Sequence, residues 1–150
     1  MIIRFIDDVT TNIFIKKELM NQVNFENLDE LEKYLKDLFK MLDDKYNITI
    51  EGFYDIVIYI DNNYGVALSL KREDFEYYNY LKKQVDMNII TKKTKFVYEI
   101  DDINFNFLNK FETIKFNDKL YLIIKKKLTN REMLILSENS KVNLRENLNI

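Results

Sequence analysis

Acidic side chains near the middle of the chain are the residues best suited to chemistry, because carboxylates bind hard cations such as magnesium. Asp61, Glu99, Asp101 and Asp102 stand at the ends of segments with the pattern of β-strands. Four such oxygen donors would suit a nuclease-like magnesium centre. Their spacing matches no carboxylate and lysine motif of that kind, so a magnesium-dependent enzyme is the third of three functional hypotheses.

A second set of carboxylates, Asp55 and Asp61, lies on one face of a single predicted strand. Six residues at about 3.3 Å each separate the two side chains by roughly 20 Å. A shared metal ion requires ligands within a few ångströms of it, so this pair predicts no metal site.

The residue types that the chain lacks exclude most catalytic chemistry. It contains no histidine and no cysteine, which removes histidine bases, thiol nucleophiles, disulfides and the usual zinc sites. Its only glycines, Gly52 and Gly65, cannot form a phosphate-binding loop. We therefore expect a non-enzymatic protein without cofactor or bound metal.

Basic residues are concentrated in the second half of the chain. Residues 1–74 contain 9 basic and 15 acidic side chains, whereas residues 75–150 contain 14 and 10. Lysines interleaved with phenylalanines would suit nucleic acid, whose phosphates meet ammonium groups and whose bases stack on rings. The overall pI of 5.3 is low for a dedicated binder, so this is the second hypothesis. Its candidate residues are Lys92, Lys93, Lys95, Lys125, Lys126 and Lys127.

Tyrosine is the residue type that leads to the first hypothesis. Ten Tyr and eleven Phe exceed what a core of this size requires, and tyrosine is favoured at protein interfaces. The sequence thus favours a small intracellular adaptor or regulatory protein that binds a protein partner or a second copy of itself. The predicted interface residues are Phe53, Val57, Tyr59, Tyr64, Tyr77 and Tyr80.

The element that positions most of these residues is a predicted β-hairpin over Gly52 to Lys71. Residues alternate between an apolar face and a mixed face on both strands, and a five-residue loop from Asp61 to Gly65 sets the two apolar faces on one side. Gly65 supplies a positive φ in that loop. A slip of one residue would expose the apolar stripe, so burial fixes the register.

Two helices are predicted beside this hairpin. Leucines recur at helical spacing over residues 28–46, where Asn27 can cap the first turn. A shorter helix is predicted over residues 75–86, with Asp74 as its cap.

The remaining segments predict strands. Met1 to Ile6 and Asn12 to Lys16 form an opening hairpin, with Asp7 and Asp8 in its turn. A C-terminal meander follows, in which a three-residue loop, preferred over a two-residue one, aligns the aliphatic side chains of residues 114–116 and 120–122. Met133 to Ser137 continues this meander, and residues 138–150 form an edge strand or a frayed tail.

Together these elements predict an α+β domain over residues 1–150, with a largely antiparallel, curved sheet of about seven to nine strands. No apolar run approaches the roughly 20 residues of a membrane helix, and acid interrupts the apolar N-terminus. We expect a cytoplasmic protein with no membrane partner. The abundance of Asn, Lys and Ile is typical of an AT-rich genome.

Overall fold

The computed structural model describes residues 1–20, 22–74, 85–101 and 105–148. The predicted α+β class is confirmed, since these residues form two α-helices and nine strands in two sheets. The helices are α1 (Leu28–Tyr46) and α2 (Asn130–Asn139). The strands are β1 (Ile2–Phe5), β2 (Thr10–Lys16), β3 (Gly52–Asp61), β4 (Gly65–Asp74), β5 (Val85–Lys93), β6 (Val97–Ile100), β7 (Phe111–Phe116), β8 (Lys119–Ile124) and β9 (Lys141–Asn143).

The chain divides into two compact units. Unit 1 contains residues 1–60 and 65–92, and unit 2 contains residues 61–64 and 93–150. The loop between β3 and β4 thus belongs to unit 2, although its two strands belong to unit 1.

Unit 1 is a five-stranded sheet with the order β1-β2-β4-β3-β5, whose apolar face is covered by α1. The predicted central hairpin is present, and the apolar stripes of both its strands lie in one core cluster with the leucines of α1. The opening hairpin is confirmed as well, with Ile3 opposite Ile13 in an antiparallel register.

Gly65 has the positive φ that the sequence predicts, at 137°. Close packing also demands glycine here, because a Cβ atom would lie 2.3 Å from the carbonyl oxygen of Ile15. The hairpin turn therefore depends on this residue type for two independent reasons.

Helix α1 has the termini that its sequence indicates. The Asn27 side chain accepts a hydrogen bond from the Glu30 amide at 3.3 Å, and Asn47 ends the helix in the left-handed region at φ 54°. Leu31, Leu35 and Leu42 are fully buried on the sheet side. The central leucines of the predicted stripe therefore pack, whereas Leu28 and Tyr46 at the two ends of the helix are exposed.

The predicted helix at 75–86 falls mostly on residues 75–84, which lie outside the described part of the chain. Its last two positions, Val85 and Asp86, begin strand β5. Alternate side chains of this strand, Val85, Met87 and Ile89, pack against the core of unit 1, as a period of two requires.

Unit 2 is a four-stranded sheet with the order β7-β8-β6-β9. The three-residue loop predicted between β7 and β8 is wrong, because Ile114 lies opposite Tyr121 and the loop has two residues. Asn117 and Asp118 both have positive φ, 48° and 60°, which is the backbone of a type I′ turn. The backbone conformation of Asn117 and Asp118 therefore decides the length of this loop, and the alignment of aliphatic side chains does not.

Residues 133–137, predicted to be a strand, lie instead in helix α2. The Thr129 hydroxyl accepts from the Glu132 amide, and the Glu132 carboxylate accepts from the Thr129 amide at 2.8 Å, which is a complete capping box. The apolar run of residues 133–137 is compatible with a strand, but the Thr129 to Glu132 spacing starts a helix.

The C-terminal segment contains edge strand β9, paired antiparallel with β6, and a 3₁₀ turn over Arg145–Leu148. Val142 and Leu144 are buried there. Residues 149–150 lie outside the described part.

Candidate functional site

Asp61, a candidate metal ligand, is a buried turn residue. One carboxylate oxygen accepts from the amides of Asn63 at 2.7 Å and Tyr64 at 3.0 Å, and the other accepts from the amide of Phe96 at 2.7 Å. Burial, with Asp61 and Tyr64 nearby, raises the pKa of the Tyr98 hydroxyl well above its usual value. Asp61 therefore organises a loop through backbone amides.

The other predicted metal ligands are separately engaged or exposed. Glu99 forms an ion pair with Lys119 at 2.9 Å, and this hydrogen bond raises the pKa of Lys119. Asp101 is exposed, and Asp102 lies outside the described residues. No three acidic side chains in the described ranges converge as a metal site would require.

The predicted interface residues differ in their exposure. Phe53 and Val57 are partly exposed on β3, whereas Tyr59 is buried at the same parity of that strand. Tyr64 is buried too, with its ring centroid 5.6 Å from that of Phe96. Tyr77 and Tyr80 fall outside the described residues, and the interface role of the whole set stays a prediction.

The lysines of the nucleic-acid hypothesis are exposed. Lys95 donates from its ammonium group to the carbonyl of Ile124 at 3.3 Å, which places it beside the run Lys125 to Lys127. The rings of Phe107 and Phe111 are buried against each other, with centroids 5.7 Å apart. These two rings are therefore unavailable for stacking on bases.

An exposed apolar surface lies at the first strand of unit 1. Strand β1 is the end strand of its sheet, and its first and last side chains are exposed, whereas Ile3 and Arg4 are half-buried. Phe5 is 66% exposed and Ile6 is 51% exposed, while Met1 and Ile2 are each 39% exposed. We call these four residues and the outer backbone edge of β1 the β1 edge.

The β1 edge is held by its neighbours on one side only. Ile3 packs against the core of unit 1, and the Arg4 guanidinium lies 4.9 Å from the centre of the Phe14 ring. Asp7 closes the turn, since its carboxylate accepts from the amides of Val9 at 2.9 Å and Thr10 at 2.7 Å. The strand is therefore well positioned, and no other strand of the described residues pairs with its outer edge.

Sequence reasoning assigned β1 correctly but missed it as a site. The available signal was the presence of apolar residues at both parities of Met1 to Ile6. One face of such a strand can pack on a core, and the second apolar set then needs another partner or remains exposed.

Comparison of the chain with protein-family models, with curated protein sequences and with solved structures gives no match. Among the described residues, neither helix has the length and apolar character needed to cross a membrane. The geometry of the chain itself is therefore the basis for a functional assignment.

Proposed function

We propose that this chain is a cytoplasmic, non-enzymatic adaptor or regulatory protein that binds a partner protein through the β1 edge. The observation that carries the proposal is the exposure of Phe5 and Ile6, at 66% and 51%, beside the open edge of a five-stranded sheet. Large exposed apolar patches at such a position are typical of interaction sites.

The form of binding that fits this edge is β-strand addition. An end strand presents a row of backbone N–H and C=O groups to which another extended segment can pair. Exposed edges are commonly protected by lysine, proline or a bulge. The only charged side chain of β1, Arg4, lies against the Phe14 ring instead of shielding the edge.

The apolar side chains define what the partner segment must provide. Phe5 shares the face of Ile3, whereas Ile2 lies opposite Phe14 on the other face. A partner strand with apolar residues on both faces would cover both sets, since directly opposed side chains in a sheet contact one another.

A second copy of this chain would pair unfavourably with the β1 edge in one antiparallel register. The antiparallel self-pairing that sets Ile2 against Ile6 and Ile3 against Phe5 also places the Arg4 residues of the two copies directly opposite each other. Like charges at opposed positions destabilise a sheet. The proposal therefore specifies a heterologous partner.

The test compares a double variant at the edge, Phe5→Lys with Ile6→Lys, with a control at another exposed aromatic, Tyr46→Lys, which is 56% exposed in the wild type. Tagged chains are used to isolate complexes from the native host, and the protein that depends on the edge is then purified for calorimetry. We expect the double variant to weaken binding at least about tenfold, as loss of an important interface position does.

Hydrogen exchange of the purified complex tests the geometry. Strand addition predicts slower exchange for amides of residues 2–6, because new backbone hydrogen bonds form there. Equal loss of binding in Tyr46→Lys, or unchanged exchange of these amides, would contradict the proposal. Unchanged thermal melting of both variants shows that the fold is intact.

A further inference from the structure

A cavity of about 690 Å³ lies between the 3₁₀ turn Lys17–Leu19 and the N-terminal half of α1 in unit 1. Its volume is within the range of roughly 300–1,000 Å³ that is usual for binding sites. We call it the α1 groove. The lining residues that matter are Glu18, Leu19, Val23, Glu30, Tyr34 and Asp37.

Three of the residues that line the α1 groove, Leu19, Val23 and Tyr34, are largely apolar. Leu19 is 62% exposed, which is a high value for a large aliphatic side chain in a lined cavity. Val23 and Tyr34 are half-buried and pack against the core, so they form a fixed floor. Burial raises the pKa of the Tyr34 hydroxyl, and this hydroxyl can donate a hydrogen bond to a bound segment.

The border of the groove is acidic. Glu18, Glu30 and Asp37 contribute three carboxylates against the one ammonium group of Lys33. Two ion pairs of unit 1, Lys36 with Glu32 and Lys71 with Glu73, do not involve a residue of the groove. By sequence, unit 1 holds 12 basic and 16 acidic residues, so its overall charge has the same sign as the groove.

We infer that the α1 groove binds a cationic amphipathic segment of another protein, with an apolar side chain seated on Leu19 and basic side chains beside the three carboxylates. Charge complementarity beside exposed apolar side chains supports this assignment, because many amphipathic helices are held in grooves in this way. The negative charge disfavours nucleic acid at the same place. This site is separate from the β1 edge and does not depend on it.

The two kinds of contact have different effects on binding. Exposed ion pairs are weak, and salt at physiological concentration screens them beyond about 8 Å. The carboxylates therefore mainly increase the association rate and select a partner of positive charge. Covering Leu19 removes apolar surface from water and is little affected by salt. Both are required for selective binding.

The probe for the test is a fluorescent peptide with four repeats of Leu-Lys-Lys-Leu. Two peptides are controls: one with Glu in place of Lys, and one with Ser in place of Leu. Fluorescence anisotropy should show that only the first binds, with an association rate that falls about tenfold or more between low and high salt.

Matched variants locate the binding site. Leu19→Ser should weaken binding about tenfold, whereas Leu28→Ser, at a leucine that is 58% exposed and outside the lining, should leave it unchanged. Glu18→Gln with Asp37→Asn should slow association several-fold, whereas the same charge change at Asp8 and Asp44 should do so less.

Several results would overturn the inference. These are equal binding of the serine peptide, equal effects of the Leu19 and Leu28 changes, or equal effects of the two charge pairs. The double variant Phe5→Lys with Ile6→Lys should bind the peptide normally. Failure of the β1 edge proposal can thus be distinguished from failure of the groove.

Discussion

The turns of the β1–β2 and β3–β4 hairpins begin with the same hydrogen-bonding motif. One turn aspartate is exposed to solvent, and the other is buried. In each, an aspartate accepts hydrogen bonds from the amides two and three residues later, at Asp7 and at Asp61. Asp7 is exposed, whereas Asp61 is 4% exposed and accepts a third amide hydrogen bond from Phe96. A local turn motif is therefore compatible with either surrounding.

The strands that lead into these two turns show what decides the difference. Strands β1 and β3 both carry large apolar side chains, but β3 lies between β4 and β5 while β1 is an end strand. Ile58 of β3 is fully buried, and Phe5 of β1 is mostly exposed. Because β3 is a central strand, its side chains contribute to the stability of the fold. Because β1 is an end strand, it has the edge at which we propose that a partner protein binds.

The largest expected effect is the difference in the free energy of unfolding between Ile58→Asp and Phe5→Asp. An unpaired charge at position 58 would cost several kcal/mol, against a total stability of roughly 5–15 kcal/mol, so unit 1 should unfold. The same change at Phe5 should alter the free energy of unfolding by less than about 0.5 kcal/mol, as expected at an exposed site. Circular dichroism and urea unfolding of both variants measure the contrast.

Similar melting of the two variants would contradict the division between core and edge. Ile58→Val serves as a size-reducing control without charge. It should cost only about 1 kcal/mol, the usual penalty for one buried methyl group.

The sequence predicted the central and opening hairpins and α1 because several local signals agree in them. For the hairpin of β3 and β4, alternation, the loop length and Gly65 all support one register, and burial of Ile56 and Leu68 in one cluster follows. The α1 boundaries likewise follow from a capping residue and a leucine stripe.

The sequence failed where apolar pattern and local chemistry disagree. Between β7 and β8, Asn117 and Asp118 adopt positive φ and shorten the loop. At Thr129 a capping box starts α2 in a segment with a strand-like composition. Side-chain hydrogen bonds to nearby amides fix the first turn at low entropic cost, so such short signals prevail.

The candidate sites were harder to predict than the fold. Exposure of Phe5 depends on β1 being an end strand, and sheet order arises from pairing between distant segments. The α1 groove requires Leu19 and Asp37 to face one cavity although they are far apart in sequence. Neither fact is present in any local window of residues.

The second prediction compares the two turns directly through Asp61→Ala and Asp7→Ala. Removal of the Asp61 carboxylate leaves three backbone amides without their acceptor, two of them in buried hydrogen bonds, and should cost about 3 kcal/mol. The amides that Asp7 serves are exposed and can bond to water, so its removal should cost clearly less. Urea unfolding gives both values.

Asp61→Asn is the informative control, because an amide oxygen can still accept two of the three hydrogen bonds. It should recover part of the loss seen with alanine. An Asp7→Ala variant that is as unstable as Asp61→Ala would show that the turn motif itself, and not its burial, determines the free energy.

The smallest expected effect is a pH dependence confined to the β1–β2 turn. Hydrogen bonds from the Val9 and Thr10 amides lower the pKa of Asp7 below its usual 3.8, the Val9 bond being the larger cause. Because the folded pKa lies below the unfolded one, this stabilisation is fully present above the unfolded pKa and is lost as pH falls through the folded pKa.

Asp7→Asn keeps the acceptor oxygen but cannot titrate there. The difference in urea midpoint between wild type and Asp7→Asn should therefore favour wild type at neutral pH and disappear in acid. If the carboxyl carbon of Asp7 titrates at or above 3.8 by NMR, the β1–β2 turn does not use the charge of this residue, and partner binding at the β1 edge should be insensitive to its ionisation.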